Sequence, residues 1–355
     1  MAARPRYHDR PVGMNVSSAS SRGAEEAEIR CPALNGTLES FLDPWPVLRA
    51  QAARMQSGDA LTVRYGGGAS YRLHSADVEI LLRLTGFAPD RPRRVDGGYE
   101  LEAIRTVDVP RDLTCSVVVP CRNEVGNIDE LVRRVPHLGT HTQLVFIDGA
   151  STDGTIERIE ENIRNHPERD IILLHQKQMK GGKGAAVFQA FDEVQGDVIM
   201  ILDADMTVAP EDLPRFFFAL SEGHAEFANG VRMTYPMEER AMQPANIVGN
   251  RAFALLFSWL LDTRISDTLC GTKVLFREDW ARVRDARPLF GGYDPFGDFD
   301  LLFAARFAGL RMLDVPVHYH ARTSGETKIH RWRDGIYLLG TCLRALRVFK
   351  LRRGR

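Results

Sequence analysis

Two aspartates carry the first chemical signal in this chain. Asp203 and Asp205 stand two residues apart at the end of an apolar run, residues 198–202 (VIMIL). A run of β-formers without polar interruption reads as a buried strand of an α/β sheet. Carboxylates at the mouth of such a strand lose solvation unless something neutralises them. Residues two apart on a strand share a face, so both carboxylates point one way. Two hard oxygen donors suit Mg2+ or Mn2+, cations that commonly arrive with phosphates. A plainer use of the pair is to end the strand ahead of a helix. Pro210, Glu211 and Asp212 open that helix, with proline and acids in its first turn.

Holding such carboxylates in place requires a sheet. From about residue 113 the sequence alternates short apolar runs with helical patterns. Residues 115–119 read as a strand closed by Pro120, and residues 143–147 as a second strand ending in Asp148. Residues 171–175 read as a third and 198–202 as the fourth. Helices are expected up to about 134, over 156–165 and over 184–194. This alternation is that of βαβ units, and implies a mainly parallel, Rossmann-like sheet with helices on both faces. Ligands bind such sheets at the carboxyl ends of the strands. Three polar clusters gather there: 120–124, 148–153 and 203–205.

Composition limits the alternatives. The chain has 355 residues, 44% of them hydrophobic, and a formal net charge of −1. That is enough for one large domain with an appendage, and gives no reason to expect a nucleic-acid partner. The five cysteines show no CxxC spacing, which points to a reducing setting and away from zinc. The longest strongly apolar run, residues 252–261, is too short to span a bilayer. The N-terminus lacks an apolar signal core, so the expected location is cytoplasmic. Residues 1–40 have no periodicity and are expected to be disordered. Residues 41–112 read as a small accessory α/β segment. Within it, 60–73 alternates around Gly66, Gly67 and Gly68 as a hairpin would, 75–86 reads as a helix and 99–107 as a strand.

Two resemblances add to this. The stretch YRLHSADVEILLRLTGFAP (71–89) resembles the C-terminal part of a class I methyltransferase. No glycine-rich cofactor loop precedes it, so the resemblance implies an accessory piece without methyl transfer. The segments VVVPCRNE, VFIDGASTDGT, GGKGAA and ILDAD, in this order, resemble the nucleotide-binding half of family-2, GT-A-type glycosyltransferases. The likeness is greatest to the polyprenyl-phosphate (dolichyl-phosphate) mannose and glucose synthases and covers residues 113–328. DTLCGTK (267–273) is similar to the family's D-x-x-x-G-x-K/R, and RTSGETK (322–328) to its R-x-x-G-E-S-K.

The resemblance implies inverting transfer from a UDP- or GDP-sugar with a divalent metal, Mg2+ or Mn2+. It implies that Pro120, Arg122 and Glu124 line the nucleotide end, and that Asp148 hydrogen-bonds the base. Asp203 would contact ribose or metal, and Asp205 the metal. The family's glutamine two residues past the second aspartate is Thr207 here, which removes an expected ligand. Lys183 lies in Gly181-Gly182-Lys183-Gly184, which lacks the Ser/Thr that a Walker A loop needs for Mg2+. It is assigned either to the nucleotide-sugar or to a simple glycine turn. Arg232 and Arg251 stand where the synthases meet phosphates, a task suited to the planar guanidinium.

The acceptor remains open between two classes. A polyprenyl phosphate is already anionic and needs positive residues: Arg232, Arg251, Lys273, Arg322 and Lys328. A hydroxyl acceptor needs a carboxylate base. Asp298 or Asp300 could be that base, or could orient the basic residues. A catalytically silent sugar-nucleotide-binding protein is the third alternative. His318 and His320 alternate on an expected strand, and read either as ordinary strand residues or as a metal ligand. Residues 331–355 read as a basic helix with a stripe of Leu339, Leu343, Leu346 and Phe349. It would either pack on the domain or touch the membrane peripherally.

Overall fold

The computed structural model describes residues 60–65, 78, 82, 87–90, 93–95, 98–105, 112–178, 181–235, 244–291, 296–321 and 331–351. The chain divides into two compact units, residues 1–108 and 109–355.

In the first unit, β1 (Ala60–Tyr65), β2 (Phe87–Pro89) and β3 (Arg93–Val95) all pair antiparallel with β4 (Gly98–Arg105). Leu61, Val78, Leu82, Phe87, Leu101 and Ala103 are its buried apolar residues. Among the described residues, β1 finds its partner in β4. The second arm of the expected hairpin and its glycines lie outside the described residues, as do most of the residues in the 75–86 helix. Val78 and Leu82, the described members of that helix, are helical and buried.

The second unit is an α/β layer with the mainly parallel sheet expected from the sequence. In chain order it contains β5 (Thr114–Cys121), α1 (Ile128–Arg134), β6 (His141–Asp148), α2 (Thr155–Asn165), β7 (Asp170–His175), α3 (Gly182–Glu193) and β8 (Val198–Ile201). There follow α4 (Leu213–Ser221), β9 (Phe227–Val231), α5 (Pro244–Leu261), β10 (Lys273–Phe276), α6 (Arg277–Ala286), α7 (Asp298–Phe307), β11 (Met312–Pro316) and α8 (Arg331–Leu346). The strands form one seven-stranded sheet in the order β11-β9-β10-β8-β5-β6-β7. Only β10 runs against its two neighbours. Val117, Val118 and Val119 are fully buried, as covering a parallel sheet on both faces requires. On one face Val118, Ile147 and Ile199 meet Phe191, Phe257, Trp280 and Phe303 in a continuous core. Each such side chain contributes about 1.5–3 kcal/mol by leaving water.

The chain runs outward through β5, β6 and β7, then returns to place β8 on the other side of β5. That reversal puts the switch point, and the expected crevice, between the carboxyl ends of β5 and β8. Pro120 corrects the sequence reading: β5 continues through it to Cys121, with Pro120 opposite Ile147. The last hydrogen bond from the β8 side joins the Leu202 N–H to the Val118 carbonyl, 3.0 Å. Two residues further along, Pro120 turns the same edge towards a neighbour that has already ended, so its missing N–H costs no ladder bond.

Candidate active site

The two loops following β5 and β6 are stitched to one another. Asn123, at φ 56°, donates its N–H to Ser151 Oγ (2.9 Å), and the Thr152 N–H donates to Asn123 Oδ1 (2.9 Å). The Glu124 N–H donates to Thr155 Oγ1 at 2.9 Å, and the Glu124 carboxylate accepts from Asn127 Nδ2 at 2.8 Å. Asp148, buried at the end of β6, accepts the Ser151 N–H at 3.0 Å and the Ser151 hydroxyl at 2.5 Å. The residue assigned to a base therefore shapes the loop that would hold it. Pro120 and Glu124 are half-buried at this rim, and Arg122 is exposed.

Asp203 and Asp205 stand just past β8, both partly exposed. Asp205 Oδ1 accepts the Thr207 N–H at 3.1 Å and the Thr207 hydroxyl at 2.9 Å, so Thr207 orients the carboxylate. The His320 N–H reaches the Thr207 carbonyl at 2.8 Å, which brings the end of the chain's last strand region to this turn. Asp203 Oδ1 lies 2.5 Å from Lys183 Nζ, both side chains about a quarter exposed (28% and 26%). Lys183 occupies the first turn of α3, where a cation opposes the helix dipole. Burial also works against its charge. The carboxylates of Asp203, Asp298 and Asp205 outweigh this and raise its pKa above the ordinary lysine value.

Glycines permit this close meeting. A Cβ on Gly271 would strike the Asp203 carboxylate and come within 2.6 Å of Lys183 Nζ. A Cβ on Gly297, at φ 82°, would lie 3.1 Å from Gly184 Cα. The start of α3, the start of α7 and the turn before β10 thus converge on the end of β8.

Behind that meeting point lies an enclosed polar network, and several predicted site residues belong to it. Arg232 grips Asp267 in a fork, Nε to Oδ2 at 2.7 Å and Nη2 to Oδ1 at 2.9 Å, with its ring neighbour Tyr319 5.1 Å away. Burial would raise the Asp267 carboxyl, but Arg232 and the backbone N–H groups of Leu269 and Arg232 hold it below the usual carboxylate range. Asn250 donates to Asp267 Oδ1 at 2.8 Å and accepts the Thr268 N–H at 3.0 Å, tying α5 to the same hub. Lys273 is wholly enclosed: its ammonium donates to the Cys270 carbonyl at 2.5 Å and to Asn229 Oδ1 at 3.2 Å, and lies 3.5 Å from Asp298. The expected phosphate contacts Arg232 and Lys273 are therefore turned into the protein.

Asp300 is also enclosed, 3.6 Å from Arg287 Nη2, and the Arg287 guanidinium lies 3.3 Å over the Phe188 ring. Arg251 stands exposed on α5, next to the anchored Asn250. Arg322 and Lys328 lie outside the described residues. His318 is taken up by Asp212, Nδ1 to Oδ1 at 3.0 Å, and stacks on Tyr235 with centroids 4.4 Å apart. Asn250 and Arg287 were missed in the sequence. An asparagine inside the apolar pattern of α5 was a usable signal; nothing local marks Arg287.

The donor set at the β8 end is two carboxylates without thiolate, which fits a hard divalent cation whose remaining ligands are phosphate oxygens and water. Among the described residues no group of three His, Cys, Asp or Glu gathers to hold a metal by itself.

Residues 116–284 match the model of the family described as glycosyl transferase family 2. A low-salt glycan biosynthesis hexosyltransferase of Haloferax volcanii is 29% identical over 226 residues, 62% of this chain and 51% of that protein. The dolichol-phosphate mannosyltransferase of Pyrococcus furiosus is 33% identical over 225 residues, 60% of this chain and 58% of that protein. The polyprenol monophosphomannose synthase of Mycolicibacterium smegmatis is 28% identical over 216 residues, 60% of this chain and 80% of that protein. The match thus spans little more than half the length of the first two relatives.

Proposed function

Residues 116–284 belong to glycosyltransferase family 2, and from that premise we propose that the protein moves a hexose from a UDP- or GDP-sugar to a polyprenyl phosphate with inversion. The transferase unit is residues 113–330, and residues 41–112 are an accessory piece. The observation that carries the reading is the Asp203–Lys183 pair at the switch point, with Asp205 beside it and the two stitched loops opposite.

Asp203 and Asp205 would hold Mg2+ or Mn2+, which when bound supplies positive charge to the donor diphosphate. Lys183, about a quarter exposed, adds a second positive charge there. In the transfer an acceptor phosphate oxygen forms the new bond to the anomeric carbon. The bond to the nucleoside diphosphate breaks, and its electron pair leaves with the diphosphate. A phosphate nucleophile has no proton to lose, so no general base is needed. The enclosure of Asp300 beside Arg287 supports an orienting role for that acid, and the exposure of Arg251 leaves it available to the acceptor. Contact with the cytoplasmic membrane face is peripheral, through the C-terminal helix.

Radiolabelled transfer into an organic-extractable product tests this. Arg251→Ala is expected to lower transfer to a short-chain polyprenyl phosphate far more than donor hydrolysis, while Asp300→Asn retains part of the activity. Transfer to a soluble alcohol without any lipid-linked product, abolished by Asp300→Asn, would replace this reading with the hydroxyl acceptor.

A further inference from the structure

The turn that carries both rim aspartates is held in an uncommon shape. Met206, between Asp205 and Thr207, sits at φ 51°, in the left-handed region that a long side chain rarely adopts. A backbone of that kind persists where its surroundings fix it. Inside the turn the Met206 N–H reaches the Asp203 carbonyl at 3.1 Å. Outside it, residues 318–320, just past β11, run against residues 207–209. Val208 and Tyr319 form an antiparallel bridge. On one side of the bridge the His320 N–H donates to the Thr207 carbonyl at 2.8 Å, and on the other the Ala209 N–H reaches the His318 carbonyl at 3.4 Å. Thr207 is thus gripped by its backbone while its own N–H and hydroxyl aim Asp205.

A lone two-stranded bridge is marginal by itself, and a buried carboxylate anchors this one. Asp212, buried just ahead of α4, accepts the His318 N–H on Oδ2 at 2.6 Å, and the His318 Nδ1 lies 3.0 Å from its Oδ1. Arg215 Nη2 stands 3.2 Å from that oxygen, while Arg215 Nη1 donates to the Tyr235 hydroxyl at 2.8 Å and to the Pro316 carbonyl at 3.2 Å. Tyr235 in turn stacks flat on the His318 ring, with centroids 4.4 Å and planes 3° apart. Burial would raise the Asp212 carboxyl, but Arg215 and His318 hold it below the usual carboxylate range. An ionised carboxylate only accepts, so Nδ1 of His318 carries the proton between them.

We propose that His318 is a positioning residue: anchored by Asp212, it holds residues 318–320 against residues 207–209 and so fixes the direction in which Thr207 turns the Asp205 carboxylate. The contacts close a small ring. It runs along the chain from Thr207 to Asp212, crosses to His318, follows the chain to His320 and returns to Thr207. The Asp212 N–H donates to the Ala209 carbonyl at 3.0 Å across its first arm, which leaves the ring little slack. A contiguous chain of hydrogen bonds thus runs from the His318 ring to Asp205. Among the described residues no third His, Cys, Asp or Glu joins Asp203 and Asp205, so the aim of each carboxylate matters the more for a cation held there. In that consequence for the cation the inference rests on the function proposed above, and in the clamp itself it does not.

Hydrogen exchange on the full chain, free of metal and nucleotide, tests the clamp. His318→Ala is expected to speed exchange at the amides of Met206, Thr207, Ala209 and His320 at least about tenfold. The amides of Val117, Val118 and Val119 in β5 are expected to stay unchanged, which separates a local loosening from a general loss of stability. His318→Asn, whose side-chain amide offers an N–H close to the place of Nδ1, is expected to recover most of the protection. Calorimetry reads the consequence: Mn2+-dependent nucleoside diphosphate affinity should fall roughly tenfold in His318→Ala and recover in His318→Asn. Unchanged exchange at the four amides, faster exchange that spreads equally to β5, or a His318→Asn no better protected than His318→Ala would overturn the proposal. So would loosened amides with the affinity of the wild type. A wild type that binds nucleoside diphosphate equally with and without Mn2+ would instead overturn the metal role in the function proposed above, while loosened amides in His318→Ala would still sustain the clamp.

Discussion

Lys183 and Lys273 each face aspartates, and Asp298 stands near both. Lys183 is about a quarter exposed and meets Asp203 at 2.5 Å on the rim of the crevice. Lys273 is wholly enclosed and shares its ammonium among a backbone carbonyl, an asparagine and Asp298. A partly exposed ion pair can exchange its partner for a ligand, because water and ligand oxygens reach it. An enclosed charge cannot: losing a partner leaves it incompletely compensated in a low-dielectric interior. Lys273 and the Asp267–Arg232 fork thus hold the ends of α5, α7 and β10 in register, while Lys183, Asp203 and Asp205 are the residues proposed to meet the substrate.

The sharpest way to break this contrast is Asp267→Ala. It strands Arg232 and Asn250 inside the protein, and a loss of about 3–5 kcal/mol in unfolding free energy is expected by chemical denaturation. A loss below about 1 kcal/mol would make the enclosed network a surface feature in all but position. Next comes Asp205→Asn on the rim. Calorimetry should show Mn2+-dependent nucleoside diphosphate affinity weakened roughly a hundredfold, with the unfolding midpoint unmoved. Equal affinity in variant and wild type would remove Asp205 from metal binding.

The smallest effect sharpens the picture from inside. Burial pushes the Asp314 carboxyl up to about 6 from an ordinary 3.8, against the hydrogen bonds it accepts from Asn229 and Ser266. A raised carboxyl favours the fold in its protonated form, so its contribution is complete below 3.8 and is lost as pH rises through about 6. The melting temperature of Asp314→Asn relative to wild type should therefore climb by a few degrees across that window and level off above it. A flat difference would show that Asp314 stays ionised throughout.

The strands and the carboxylate pair were legible because their signals are local. Residues 198–202 are uniformly apolar, and the acids follow at once. The helices before β8 begin or end within two residues of expectation, as fraying ends do, whereas Pro210–Asp212 form a separate 3-10 turn ahead of α4 and Arg347–Leu351 wind as a π-helix after α8. What could not be read is the direction in which distant charged side chains turn. Arg232 and Asp267 are 35 residues apart, and Lys273 and Asn229 are 44 apart. No periodicity encodes such pairs. Asp148 was legible as a strand-end acid, but its capture by Ser151 depends on the turn that follows, with Ala150 at φ 59°.

Pro120 has a consequence for how the crevice stays open. A parallel pair of strands tends to zip on for as long as both edges offer donors and acceptors. Beside β8 the last acceptor of β5 in use is Val118, and Pro120, on the same edge, has no donor to extend the ladder. The two strands part there like the arms of a fork, with no donor on Pro120 to draw them together. The gap opens where β8 ends, and the covalent structure of Pro120 removes the one donor that could narrow it again.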